Sequence, residues 1–215
     1  MVLSQTYWQN IQCVCFISIL FLSFVIEDVT RSEKLNSVNF PVTSSGSSTC
    51  TASGDPHYTS FDKKKFNFHG NCTYVMSQTC NSTQTPFSVY ASNEHRNGKK
   101  TVSYVKAVYV QVYGITVSIL KKKVVQVNGK TVTVPINPVR EVTIKPSGKH
   151  VVVQTDFGLI VRYDGVMLSL CSYADELCGL CGDYNGSPSD DFRTPEGKLV
   201  KGVNDFGNSW NVDDK

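Results

Sequence analysis

From His57 onward the chain alternates apolar and polar residues with a period of two, and this alternation limits what it can fold into. Val108, Val110 and Val112 fall on one side of a strand, with Tyr109, Gln111 and Tyr113 on the other. Ile115, Val117 and Ile119 interleave with Thr116 and Ser118, and Val132 and Val134 with Thr131 and Thr133. Val142 and Ile144 interleave with Glu141, Thr143 and Lys145. Successive strand side chains point to opposite faces, so each run offers one face to a core and one to water. Turn signals separate the runs at Tyr113-Gly114, Asn128-Gly129, Pro146-Ser147-Gly148, Phe157-Gly158 and Asp164-Gly165. Asn-Gly between β-branched runs predicts a type I′ hairpin. Short strands at this regular spacing predict an all-β fold, with antiparallel sheets packed as a sandwich or barrel. No amphipathic helix of three turns is foreseen, and only Tyr173–Leu177 suggests a single turn.

Composition removes other classes. Hydrophobic residues make up 40% of the 215 and charged residues 18%, which excludes intrinsic disorder and a coiled coil. The net charge of +3 comes with scattered lysine runs and no dense basic field, so no nucleic-acid partner is expected.

Residues 1–26 contain no Asp, Glu, Lys or Arg, and Cys13–Ile26 is an almost unbroken apolar run of 14 residues. A spanning helix needs about 20. The run therefore reads as a signal peptide, cut between about Ser23 and Ser32, with an uncleaved anchor reaching toward Trp8, or a buried strand or helix of the domain, as the alternatives. On the first reading the chain is secreted and keeps no stable membrane span. Residues 27–49 have the Ser/Thr-rich composition of a linker, which leaves 50–215 as the folded domain.

Cys13 and Cys15 depart with the signal. Cys50, Cys72, Cys80, Cys171, Cys178 and Cys181 remain. An even number in an oxidising compartment reads as three disulfides, whose pairing spacing alone leaves open. Cys178-Gly-Leu-Cys181 also permits a redox-active pair, and hence a thiol oxidoreductase. A zinc site would need two further ligands that the neighbourhood lacks. Three Asn-x-Ser/Thr triplets occur. Asn81, in a polar stretch, is the expected glycan site, and Asn71 is a second. Only four His occur and no Gly-x-Ser-x-Gly accompanies them, so no hydrolytic triad is read and no enzyme is expected.

Two segments are the most informative. The first runs Cys50-Thr-Ala-Ser-Gly-Asp-Pro-His-Tyr-Thr-Ser-Phe-Asp62, continuing through Phe66-Asn-Phe-His-Gly-Asn-Cys72. The second is Cys178-Gly-Leu-Cys-Gly-Asp-Tyr-Asn-Gly-Ser-Pro-Ser-Asp-Asp-Phe192, followed by Phe206-Gly-Asn-Ser-Trp210. In this order they resemble the von Willebrand factor type D domain of mucins, zonadhesin-like and tectorin-like proteins, from about Cys50 to Trp210. The resemblance implies a disulfide-bonded β-sandwich serving extracellular adhesion or matrix assembly, with an extracellular protein or glycan as partner. Because the module also occurs in yolk lipoproteins, a secreted lipid- or ligand-carrying protein is the alternative. The resemblance further implies the pairs Cys50–Cys181 and Cys80–Cys178, leaving Cys72 with Cys171.

Asp183, Asn185 and Ser187 stand at alternate positions, and Asp190-Asp191 close the segment. Alternating oxygen donors around a glycine turn suit a hard cation such as Ca²⁺. The resemblance adds Asp62. The expected ligands are Asp62, Asp183, Asn185, Asp190 and Asp191, with a carbonyl near Ser187. The alternative is a solvated acidic turn held by Asx hydrogen bonds. Lys63 stands where the family has Gly. The motif Gly54-Asp55-Pro56-His57 suggests self-cleavage of the Asp55–Pro56 bond, with Asp55 as nucleophile and His57 moving the proton. The lysine runs 63–65, 99–100 and 121–123 read as solvated turns and edge-strand protection, or as a patch for sulfated glycans.

Overall fold

In the computed structural model the runs 108–112, 115–119 and 142–145 are strands with their Val and Ile turned largely inward, whereas Val134 lies in the bend that follows the strand Lys130–Val132. The structure describes residues 47–54, 57–80, 85–96, 99–172 and 177–213. All belong to one compact unit, Thr43–Lys215. The expected signal peptide and nearly all of the linker lie outside the described residues. Among those described, no helix is long and apolar enough to cross a membrane.

The chain opens with β1 (Ser48–Ser53), β2 (His57–Thr59), β3 (Lys65–Asn67), β4 (Thr73–Thr79) and β5 (Phe87–Arg96). It continues through β6 (Lys99–Val112), β7 (Ile115–Ile119), β8 (Val125–Val127), β9 (Lys130–Val132) and β10 (Ile136–Val139). It closes with β11 (Val142–Ser147), β12 (His150–Thr155), β13 (Ile160–Tyr163), β14 (Leu168–Ser172) and β15 (Leu177–Cys178). An eight-stranded sheet runs β10-β11-β12-β13-β14-β1-β2-β3, and a seven-stranded sheet runs β15-β4-β5-β6-β7-β8-β9. The pairings are antiparallel, and β1 closes onto β14 with Cys50 opposite Leu170.

The turn chemistry explains the hairpins. Asn128 and Gly129 have φ of 48° and 77°, the left-handed pair of a type I′ turn, and they join β8 to β9. Tyr113 and Gly114 do the same between β6 and β7, with φ of 50° and 71°. Tyr113 thus ends its alternating run in a turn. Val108, Val110 and Val112 of β6 are buried, as the alternation predicts, while Gln111 is exposed.

Both sheets contribute to one core, in which Tyr58, Val153 and Leu170 join Met76, Val110 and Ile119. Two buried hydrogen bonds cross between them. The Tyr163 hydroxyl donates to the Val105 carbonyl at 2.8 Å. Asn93 Nδ2 donates to the Tyr58 hydroxyl at 2.9 Å. Burial pushes the Tyr58 phenol up to about 12 against the opposing pull of Asn93, so it stays protonated at neutral pH.

One element was not foreseen. Val203–Ser209 forms helix α1, two turns whose N-cap, Gly202, makes no side-chain cap hydrogen bond. Tertiary packing holds it. Phe206 stacks on Phe192 at 4.6 Å and meets Phe66 edge-on at 5.7 Å. A Cβ at Gly207 would lie 2.3 Å from the Phe68 ring, so glycine lets the helix sit this close. The Trp210 indole donates to the Arg193 carbonyl at 2.9 Å. Of the single turn expected at Tyr173–Leu177, residues 173–176 lie outside the described set, and Leu177 is in β15.

Two of the three expected disulfides form, Cys50–Cys181 and Cys80–Cys178, closing separations of 131 and 98 residues. The expected Cys72–Cys171 bond does not: both are free thiols. The pleat gives the reason. Cys171 alternates with buried Leu170 and Ser172 on β14, which places its sulfur on the outer face, 3.3 Å from Thr49 Oγ1 and 3.5 Å from Arg162 Nη1. Cys72 precedes β4 in the other sheet.

The Asp164-Gly165 turn carries a charge that can be tested. Burial alone would raise the Asp164 carboxyl. The N–H groups of Met167 and Val166 at 2.7 and 3.0 Å, and Lys149 Nζ at 2.9 Å, outweigh it and hold the pKa at about 2. A depressed carboxylate pKa stabilises the fold above its unfolded value, near 3.8, and that gain is lost as pH falls toward 2. Asp164→Ala should therefore cost about 2 kcal/mol at neutral pH. In urea unfolding, the gap between wild type and variant should close between about pH 4 and pH 2. A gap unchanged over that range would refute the account.

Candidate functional site

The site begins with how Cys178–Gly182 is held. Leu180 N and Cys181 N donate to the Val75 and Met76 carbonyls of β4 at 3.0 and 2.9 Å. The Cys181 carbonyl accepts from Phe61 N at 2.9 Å. The loop that follows, 183–191, is thereby laid over the turn Ser60–Lys64.

Asp62 is 8% exposed, and its two oxygens accept Asn185 N at 3.1 Å and Gly186 N at 3.0 Å. Asn185 Oδ1 accepts Ser187 N at 2.7 Å, which is the Asx turn foreseen as the alternative. Asn185 Nδ2 donates to Asp183 Oδ2 at 2.9 Å and to Asp190 Oδ2 at 3.0 Å. Asp191 is 3% exposed and accepts Ser60 Oγ at 2.6 Å. The Ser187 hydroxyl meets Ser189 Oγ at 2.9 Å, while its carbonyl accepts Asp190 N at 3.4 Å. Asp62, Asp183 and Asp191 bring carboxylate oxygens within 4.8 Å of one another. Oδ1 of Asp183, of Asp190 and of Asp191 is in each case buried with no hydrogen-bond partner.

The electrostatics follow from this crowding. Burial, reinforced by the charges of Asp62 and Asp183, pushes Asp191 up to about 6 although the Ser60 hydroxyl opposes it. Asp183 is raised by burial and by Asp190. Asp190 is held at about 2, chiefly by Arg193, whose Nη2 lies 2.9 Å away. Arg193 Nε also approaches Asp183 Oδ2 at 3.9 Å.

Three contributors went unread in the sequence. Ser60 and Arg193 are not oxygen ligands of the alternating pattern, although Arg193 directly follows the Asp-Asp-Phe run. Gly182 is needed sterically: its φ is +79°, and a Cβ there would lie 2.0 Å from Asp191 Oδ1. Lys63 occupies the left-handed region, φ 71°, at the position where the family has Gly. Lys63 Nζ donates to Ser48 Oγ at 2.7 Å.

The other expected residues are dispersed. Cys178 and Cys181 each bond a distant partner, so the CxxC is not a dithiol and the oxidoreductase reading is withdrawn. Asp55, Pro56 and Asn81 lie outside the described residues. His57 is exposed, with Nδ1 2.7 Å from Asn67 Oδ1. Asn71 is exposed.

The family model of the von Willebrand factor type D domain matches residues 50–198. The chain belongs to that family. A zonadhesin of Sus scrofa is 42% identical over 170 residues, 77% of this chain and 7% of the relative. The IgGFc-binding protein of Homo sapiens is 41% identical over 172 residues, 77% of this chain and 3% of that protein. An alpha-tectorin of Mus musculus is 41% identical over 174 residues, 77% and 8% respectively. The chain therefore spans less than a tenth of the length of these relatives.

Two predictions concern how the type D core is closed. Gly182→Ala drives a methyl into Asp191 at a left-handed position and should cost about 1–3 kcal/mol in denaturant unfolding. Adding Asp191→Ala should recover part of the loss, and additivity of the two changes would refute the contact. Non-reducing thiol alkylation, mapped by peptide mass, should mark Cys72 and Cys171 and spare Cys178 and Cys181. Label on the latter pair would overturn the disulfide assignment.

Proposed function

We propose that this type D domain is a secreted extracellular adhesion or matrix module stabilised by Ca²⁺, and that it does not turn over a substrate. The observation that carries the reading is the convergence of buried carboxylate oxygens without hydrogen-bond partners. Such groups are costly unless a cation or donor satisfies them. The donor set is all oxygen, which suits a hard cation and not a thiophilic one. Asp62, Asp183, Asp190 and Asp191 would hold the ion, with the Asn185 amide oxygen after a half-turn of its side chain and a carbonyl near Ser187. A bound cation supplies positive charge that Arg193 alone does not, and fastens the 183–191 loop to the Ser60–Lys64 turn. The membership of the chain in a family that serves extracellular adhesion and assembly, together with its apolar N-terminal run, supports secretion. The names of the relatives support a binding role, with an extracellular protein or glycan as partner.

Ca²⁺ should raise the melting temperature, because a ligand bound only by the folded state adds about 2.7 kcal/mol at a hundredfold excess over Kd. Asp190→Ala should abolish most of that gain. Identical melting curves with Ca²⁺ and with chelator would sink the site. Secretion is tested separately by expressing the whole chain in animal cells and assaying the medium.

A further inference from the structure

We propose that the lysine turn between β7 and β8, together with Lys106 of β6 and Lys149 of the β11–β12 hairpin, is a docking surface for a sulfated glycosaminoglycan. The structure separates the first and last lysine runs by what each one does. In the first, Lys63 is hydrogen-bonded to Ser48. Lys64 donates to the Pro188 carbonyl at 2.9 Å and lies 4.1 Å over the Phe192 ring. Lys65 is exposed on β3, an outermost strand, where a charge discourages edge-to-edge pairing. That run is fully accounted for by the fold.

In the run Lys121–Lys123, Lys121 pairs with Glu94 and Lys123 reaches a carbonyl of the other sheet, but the fold gives no account of Lys122 or of why the run is basic throughout. Both flanking strands are interior to their sheet, with β6 beyond β7 and β9 beyond β8, so the run guards no edge. All three residues are exposed on a short 3-10 turn. Lys122 and Lys123 have φ of 60° and 62°, a left-handed conformation that Gly or Asn adopts at less cost. Lysine at both positions gains nothing for the turn itself.

The two sheets place their lysines together here. Lys123 Nζ donates to the Lys149 carbonyl at 3.2 Å, which joins the turn of the seven-stranded sheet to the hairpin of the other. Lys106 and Tyr104 alternate with buried Ser103, Val105 and Ala107 on β6, and the Tyr104 hydroxyl donates to Glu94, the partner of Lys121 at 2.5 Å. Glu94 and Asp164 offset Lys121 and Lys149. Among the described residues, Lys106, Lys122 and Lys123 enter no ion pair with an acid. The surplus positive charge is therefore local although the chain carries only +3 overall. A concentrated field of one sign attracts a flexible polyanion over roughly a Debye length, about 8 Å at physiological salt. Sulfate esters keep their charge at any physiological pH, and three compact ammonium groups suit such point charges.

The identity of the polyanion rests on the extracellular reading above, but the binding does not, and the test keeps them apart. The full chain would be measured against a heparin dodecasaccharide by calorimetry at physiological salt, with chelator present so that cation loading plays no part. Lys106→Gln with Lys122→Asn removes two charges that make no hydrogen bond or ion pair among the described residues, and Asn suits the left-handed backbone at position 122, so loss of fold is not an explanation for loss of binding. This pair should weaken heparin binding about tenfold or more, steeply with salt. Lys198→Asn with Lys201→Asn, an equal charge change at exposed positions, should leave it within about twofold. Wild type eluting at the same salt from heparin and sulfopropyl resins would overturn the proposal. So would equal weakening by the control pair, or capture by phosphatidylserine vesicles in preference to heparin. Failure of secretion would count against the extracellular reading and leave the measured heparin affinity standing.

Discussion

The short segment Cys178–Gly182 is the joint on which the rest of the domain depends. It is hydrogen-bonded to β4 on one side and to Phe61 on the other. Its first cysteine bonds Cys80, just beyond β4, and its second bonds Cys50 on β1 of the opposite sheet. Both layers are thus tied to five residues of chain. In the chain-entropy view, each closure of about 100 residues restricts the unfolded state by several kcal/mol, on the order of 4–5. The glycines allow the close approach: a Cβ at Gly179 would meet the Met76 carbonyl at 2.6 Å.

The acidic cluster is a consequence of that joint. Asp62 and Asp183 are far apart in sequence and meet because the Cys181 carbonyl is held to Phe61 N. Four carboxylates on one small surface repel one another, and the molecule answers with Ser60, Arg193, the Asn185 amide and two backbone N–H groups. Those donors are too few, since an oxygen of each of three aspartates is left buried and unpaired. Burial first, and the neighbouring carboxylates second, raise the pKa values of Asp183 and Asp191.

Much of this was legible in the sequence, because period-two alternation and turn residues are local signals. The type I′ hairpin at Asn128-Gly129 follows from two residues, and the inward faces of β6 and β11 follow from their valines and isoleucines. Helix α1 was not legible. It is two turns long, contains a glycine and has no side-chain cap, so its stability lies in Phe206 meeting Phe192 and Phe66, which are distant contacts. The absent Cys72–Cys171 bond is a miss of another kind. An even count of cysteines says nothing of pleat parity, and parity is what turns Cys171 outward. At the site, the alternating oxygen donors were legible and the steric need for Gly182 was not, since only the folded loop brings Asp191 against it.

The topology adds a last constraint. Strand β1 pairs with β14, so the first and last parts of the eight-stranded sheet form together, and the 183–191 loop rests on a turn near the start of the domain. Neither half can assemble the acidic cluster alone. Whatever satisfies the buried carboxylates therefore binds only the complete fold, and its binding energy adds to folding energy. The two disulfides restrict the unfolded chain, whereas a ligand at the acidic cluster would act on the folded state. Because the two would act on opposite sides of one equilibrium, their effects on stability would sum.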